Sequence, residues 1–282
     1  MDESTCIGES DPSTCVVGYI ATGKQWSIFE QAWALMTEHY GVDVLHATEL
    51  ETEFTRSRHP VYKDWSKDKV QDFQREIHGL IVLTGLKDVG IAIPLSVYKS
   101  VLTPERRKKY GETPDKICAL LCMTSAGGYA WANKAIYKQA PSFIFEAGGT
   151  YAGLVMEIHE YLTTKSYYRD FYRLSTLTFA PKSKEFPQLQ AADYLAFNIS
   201  KRCSHVVAPE PPAGGPLETL PDGRKVRKTR YPLLALYSEN GSNVMYAPTA
   251  EILERIWQMI EAEDDYDAIE RQLSEAKTNK EG

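Results

Sequence analysis

Cysteine is scarce in this chain. Cys6, Cys15, Cys118, Cys122 and Cys203 are the five among 282 residues, none in a Cys-x-x-Cys spacing, and an odd number cannot all pair. That argues against a disulfide framework and against zinc, and makes buried thiols the expectation. Long apolar runs are missing as well. None approaches the ~20 residues of a membrane helix, and the N-terminus lacks the basic-then-apolar layout of a secretion signal. The expected location is therefore cytoplasmic, with no membrane partner. Several familiar chemical signatures are also absent: no Gly-x-Ser-x-Gly turn, no His-Glu-x-x-His, no zinc-ligand spacing. Gly148-Gly149-Thr150 lacks the lysine of a phosphate-binding loop and reads as a turn, with Thr150 capping the next helix.

What remains is an ordinary globular composition, 43% hydrophobic and 25% charged, long enough for one α/β domain with embellishments. The net charge of −6 argues mildly against a coat for nucleic acid. Its distribution weakens that argument. Residues 251–282 hold ten acidic and four basic side chains, so residues 1–250 are formally neutral. Two basic tracts, Arg106-Arg107-Lys108-Lys109 and the run from Arg224 to Arg230, are possible phosphate contacts or solvated charge. Tyr167, Tyr168 and Tyr172 are candidate base-stacking rings or a packing cluster.

Apolar periodicity predicts strands alternating with helices. Residues 15–20 read as a strand paired with the one carrying Asp2. A helix follows Thr22, with Trp26, Phe29, Trp33 and Met36 on one face and Gly41 stopping it. Residues 42–47 read as a short buried strand. A second helix starts near Ser66, and residues 89–98 form a strand that Pro94 marks as an edge or a bulge. Thr103-Pro104-Glu105 opens a helix. Residues 116–137 read as a buried helix bent at Gly127-Gly128, 142–146 as a strand, 150–163 as a helix, 174–179 as a strand and 187–202 as a helix. Residues 207–230 are expected to be a Pro/Gly-rich and then basic loop, between a core at 1–206 and a C-terminal part at 231–282. That last part is expected to hold a hairpin around Asn240-Gly241, a closing helix and an acidic tail.

Against this frame the acidic residues stand out. Asp2 and Glu3 open the chain, Glu49 follows the run 42–47, Glu146 closes Ser-Phe-Ile-Phe-Glu, and Asp193 lies in Leu-Gln-Ala-Ala-Asp-Tyr-Leu-Ala. A carboxylate at the edge of a buried element is costly to desolvate without a partner, and several in one cleft repel. Divalent cations resolve that repulsion. Mg²⁺ or Mn²⁺ held by carboxylates from different elements is the arrangement that cuts phosphodiester bonds. Asp2 and Glu3 alternate across a strand, so at most one of them faces such a cleft. His46 is a candidate proton acceptor or a packed strand histidine. Gln190 is a candidate support for Asp193 from the same helix face, or a surface amide.

Met-Asp-Glu-Ser-Thr resembles the N-terminal Asp-Glu-Ser-Gly signature of the domain of unknown function 3800 family. Four later segments match in order: Val-Gly-Tyr-Ile-Ala-Thr-Gly-Lys-Gln-Trp, Leu-His-Ala-Thr-Glu-Leu, Ile-Phe-Glu-Ala-Gly and Pro-Gln-Leu-Gln-Ala-Ala-Asp-Tyr-Leu-Ala. The resemblance implies a ribonuclease H-like mixed sheet flanked by helices, with helical insertions. It further implies a metal-dependent nuclease acting on RNA or DNA, with Asp2, Glu146 and Asp193 as metal ligands. Glu49 and His46 would assist, with Glu3 and Gln190 around them. Thr5 stands where the family has glycine, Glu146 where it more often has aspartate, and Asp2 lacks the strand that normally leads into it. A weakened site is therefore expected, one that upstream residues would strengthen. The competing expectations are a non-catalytic nucleic-acid or protein-binding module, and hydrolysis of a small phosphate ester. The sequence leaves the oligomeric state open.

Overall fold

The computed structural model describes residues 2–5, 13–51, 53–110, 113–148, 151–165, 169, 172–203, 217–219, 225–227, 243–246, 250–251, 253–258 and 260–261. Residues 2–5, 217–219, 225–227 and 243–246 are described by backbone course. The fold is mixed α/β.

Strand β1 (Asp2–Thr5) lies antiparallel to β2 (Ser13–Ile20), in a register that sets Asp2 opposite Val17 and Glu3 opposite Val16. β2 is antiparallel to β3 (Lys87–Pro94), and β8 (Asn243–Tyr246) joins β3 in parallel, giving the order β1-β2-β3-β8. Both faces of β2 and β3 are covered. Val16, Val89, Ile91 and Ile93 pack with the apolar helix α7 (Pro114–Ala132), while Cys15, Val17 and Ala92 pack with Ala196 and Ile199 of α9 (Pro187–Cys203). A strand buried on both faces reads as a continuous apolar run, which is how these strands are written. Gly90 of β3 has φ +138°, and a Cβ there would lie 2.3 Å from the carbonyl oxygen of Val16. Only glycine fits.

Helix α1 (Gly23–Tyr40) begins in a capping box between Thr22 and Gln25 and ends at left-handed Gly41; α4 (Lys67–Thr84) begins at Ser66 and ends at left-handed Gly85. Their apolar faces meet through Phe29, Trp33, Met36, Phe73 and Ile77, forming a second core beside the sheet. Two short helices, α2 (Ala47–Glu51) and α3 (Glu53–Arg56), lie between them in sequence.

Several expectations are corrected. Residues 42–47 are not a strand: a turn leads directly into α2, although Val42 and Leu45 are buried. The strand expected to run to Tyr98 stops at Pro94, from which α5 (Leu95–Val101) starts. Pro94 therefore marks a strand end, where its missing N–H costs nothing, on a strand with neighbours on both sides. Helix α7 runs through Gly127-Gly128 to Ala132. A Cβ on Gly127 would come within 2.8 Å of the Cβ of Tyr172, so this glycine serves a close approach.

Strand β4 (Phe143–Glu146) pairs in parallel with β5 (Leu177–Ala180), and α8 (Tyr151–Thr164) separates them in sequence. Thr150 lies outside the described residues. Within the segment expected to be a loop, β6 (Leu217–Thr219) and β7 (Lys225–Arg227) form an antiparallel pair. The expected hairpin arm at 233–237 lies outside the described residues. Helical residues within 250–261 bury Leu253, Ile256, Trp257 and Ile260 in the main core. That helix is tied to α6 (Pro104–Tyr110) by Arg106, whose guanidinium lies 2.6 Å from Glu254 and 3.1 Å from Glu261. Arg106 is thus committed to protein carboxylates. Among the described residues no helix is long and apolar enough to cross a membrane.

Candidate functional site

Helix α9 carries two buried or half-buried polar side chains at i and i+3, one reaching the irregular segment before α2 and the other the first residue of α2. The Gln190 Oε1 accepts the Leu45 N–H at 2.8 Å, while its Nε2 donates to the carbonyl of Ser183 at 2.8 Å. The Asp193 Oδ2 accepts the Ala47 N–H at 2.8 Å. This explains why residues 42–47 need no strand partner: side chains take the Leu45 and Ala47 donors, and the Thr37 carbonyl takes the Val42 N–H. Gln190 is therefore a clamp on the Leu45 segment, and its recorded bonds go to backbone rather than to Asp193.

The other oxygen of Asp193 faces a cation. Lys182 Nζ lies 3.2 Å from Asp193 Oδ1 and 3.0 Å from Glu146 Oε2. Lys182 follows the end of β5, where Ala180 is the register partner of Glu146, so the parallel pair β4–β5 delivers one acid and the lysine together. The lysine side chain is 8% exposed, Asp193 18% and Glu146 36%. Two carboxylates thus share one ammonium in a partly dry setting.

Glu49, on α2, meets a histidine other than the expected one. His59 Nε2 lies 3.2 Å from Glu49 Oε2, at ion-pair distance but without hydrogen-bond alignment. The Nδ1 of His59 accepts the Val61 N–H at 3.2 Å, which assigns the ring proton of a neutral His59 to Nε2, facing the carboxylate. The His59 ring stacks on Tyr62, with centroids 4.2 Å apart. Tyr62 is fully buried, and its hydroxyl has no hydrogen-bond partner among the described residues. Burial raises the Tyr62 pKa well above the usual phenol value, and the charges of Glu49 and Asp193 push it further the same way. This phenol is a neutral donor on which the charges of both carboxylates act. His46 is half-buried ahead of α2, where its carbonyl accepts the Glu49 N–H at 3.1 Å.

Of the expected site residues, then, Glu146 and Asp193 converge on one cation, while Glu49 meets His59. Asp2 and Glu3 are placed by backbone: Asp2 sits at the end of β1, beside the β2 residue that packs on α9. Sequence reasoning missed Lys182, His59 and Tyr62. Lys182 had one legible signal, a cation just past a strand that parallels the one ending in Glu146.

Carboxylate oxygens suit a hard divalent ion in kind, and two expected ligands converge. Among the described residues, however, no group of three or more His, Cys, Asp or Glu side chains is gathered as a metal site, and an ammonium stands between the two acids. A divalent ion there has to displace Lys182. Comparison with protein-family models, with curated proteins and with solved structures found no match for this chain.

Proposed function

We propose that the chain is a phosphodiester hydrolase dependent on Mg²⁺ or Mn²⁺ and acting on RNA or DNA, with Glu146, Asp193 and Asp2 holding the ion. The single observation that carries this reading is that Glu146 and Asp193, from different elements, both turn onto one cation. The antiparallel run β1-β2-β3 followed by the parallel pair β4–β5 supports the finer reading of a ribonuclease H-like core, as do the motifs shared with the domain of unknown function 3800 family.

When bound, the ion would supply a Lewis acid and an activated water. The chain's own residues do the rest. Asp193 keeps its carboxylate oriented because one oxygen is fixed on the Ala47 N–H. Lys182, released from the acids, would be free to meet a phosphate. The Glu49–His59 pair can accept a proton, and the buried Tyr62 stacked on His59 offers one O–H.

The test is cleavage of labelled RNA, DNA and hybrid substrates with either ion. Asp193→Asn is expected to lower the rate by at least ~100-fold. Activity unchanged in Asp193→Asn rejects the site. Lys182 also motivates a second reading, a binding module whose two acids are already engaged by an ammonium. Oligonucleotide binding without calorimetric heat from millimolar Mg²⁺ or Mn²⁺ would favour that reading.

A further inference from the structure

Residues 53–69, from the start of α3 into the first turn of α4, carry five cations against three acids in a chain whose net charge is −6. Within this stretch Phe54 stays 62% exposed, although the Arg58 guanidinium lies over its ring, 3.7 Å from the centroid. Further along, Trp65 is half-buried and Lys69 Nζ lies 4.5 Å from its ring centroid. The two pairs are linked. Arg58 is followed by His59, and both His59 and Trp65 pack against the buried ring of Tyr62, with centroids 4.2 and 5.1 Å away. Lys63 and Lys67, exposed, complete the positive set around this ring cluster.

Two features of this strip oppose stability unless something binds it. The Phe54 ring forgoes the gain of burial. Lys67 and Lys69 stand in the first turn of α4, where the helix dipole favours acids, and Asp68 is the one acid there. Local rules broken together on a surface point to binding rather than to folding. A fitting partner brings both negative charge and flat apolar faces. Single-stranded nucleic acid has both in every residue, a phosphate and an unpaired base that stacks on an aromatic ring or a guanidinium plane. A duplex offers its phosphates but keeps its base faces stacked on one another, and an acidic peptide offers charge without the rings.

We infer that the strip from Phe54 to Lys69 binds single-stranded nucleic acid, with Phe54 and Arg58 stacking a base and Lys63, Lys67 and Lys69 meeting phosphates. Trp65 steadies Lys69 through the contact of its ring. The choice of nucleic acid rests on the hydrolase reading and narrows its substrate to single strands, but this binding needs no metal ion.

The experiment is fluorescence anisotropy of the full chain with labelled oligo(U), oligo(dT) and a DNA duplex of the same length, in EDTA and across a salt series. At least one of the single strands is expected to bind ~5-fold or more tighter than the duplex, and Phe54→Ala should lose a similar factor for that strand, the worth of one stacked base. The double variant Lys63→Gln, Lys67→Gln should lower the slope of log affinity against log salt by roughly 1.4, two phosphate contacts at about 0.7 each. All three positions are exposed, so the fold should persist. Met156→Ala, exposed on α8, should change neither affinity nor slope. The inference is overturned by absence of binding, by a duplex bound as tightly as the single strands, or by polyglutamate competing as well as unlabelled oligo(U). It is equally overturned by unchanged affinity in Phe54→Ala or an unchanged salt slope in the lysine variant. Single-strand binding through this strip without cleavage in Mg²⁺ or Mn²⁺ would leave it standing and reject the hydrolase, whereas cleavage with binding unaltered in both variants would do the reverse.

Discussion

Replacing Lys182 by methionine removes the shared ammonium while keeping most of the apolar stem that lies in the nearly buried site. In the native chain, contacts of 3.0 and 3.2 Å hold two carboxylates that would otherwise face each other uncompensated. Removing one partner of a fully buried ion pair costs about 3–5 kcal/mol, mainly because the other charge is left dry and alone. Glu146 is 36% exposed, so water screens part of that penalty, and about 2–3 kcal/mol is the expected loss. For a chain this long, about 2–4 °C per kcal/mol gives a fall in Tm of roughly 4–12 °C. Thermal melts with and without millimolar Mg²⁺ or Mn²⁺ read a second effect. An ion that binds the folded chain at a hundred times its Kd adds about 2.7 kcal/mol. In the native chain part of that gain is spent displacing the lysine. The variant should therefore gain more from the ion than the native chain does. Lys184→Met, at an exposed pair with Asp43, serves as a control that should barely move. An unchanged Tm in Lys182→Met, or an ion-induced gain no larger than that of the native chain, refutes the reasoning.

Three further substitutions probe the framework. Gln190→Leu strands the buried Leu45 N–H and the Ser183 carbonyl and should cost about 2–4 kcal/mol in denaturant titration; a change under about 1 kcal/mol would mean the clamp is dispensable. Gly127→Ala forces a Cβ to within 2.8 Å of Tyr172 and 3.0 Å of Leu174, so a loss of about 1–3 kcal/mol is expected, and a stabilised variant would show that α7 can move aside. The hydrogen bond from Arg106 holds the Glu254 carboxyl below its usual pKa of 4.5, against a smaller upward push from burial. A lowered folded pKa gives stability that is present above pH 4.5 and is lost as the pH falls through the folded value. Arg106→Gln should therefore flatten the decline of Tm on acidification from neutral pH, and an unaltered slope would count against the pairing.

Local chemistry made much of the scaffold legible. Thr22 with Gln25, Ser66, and the glycines at 41 and 85 act within a few residues of themselves, so α1 and α4 could be bounded from sequence. Where the deciding partner is distant, the reading failed. Residues 42–47 have the composition of a buried strand, but the Leu45 and Ala47 donors are taken by Gln190 and Asp193, whose sequence separations from them are 145 and 146. Pro94 announced an interruption without saying whether the chain would bulge or turn helical. The acids that close apolar runs pointed to Glu146 and Asp193. The lysine between them depends on the pairing of β4 with β5, which periodicity cannot specify. His46 drew attention by lying three residues before Glu49, yet the ring that meets Glu49 comes from His59, in a turn-rich stretch with no period to read.

Asp193 has two tasks, and that decides which variant tests the chemistry. One oxygen holds the Ala47 N–H, and with it the start of α2 that carries Glu49; the other faces Lys182. Asparagine can keep an oxygen on Ala47 while losing the charge, whereas alanine loses both. In Asp193→Asn the Ala47 amide should stay protected from hydrogen exchange, with the site charge altered. In Asp193→Ala the Ala47 amide should exchange about 5–10-fold faster or more, the loss of one hydrogen bond being worth about 1 kcal/mol or above. Equal protection in the two variants would show that another group restrains α2. Asp193 would then matter only through its charge, and activity lost in Asp193→Ala could be assigned to chemistry rather than to a loosened loop.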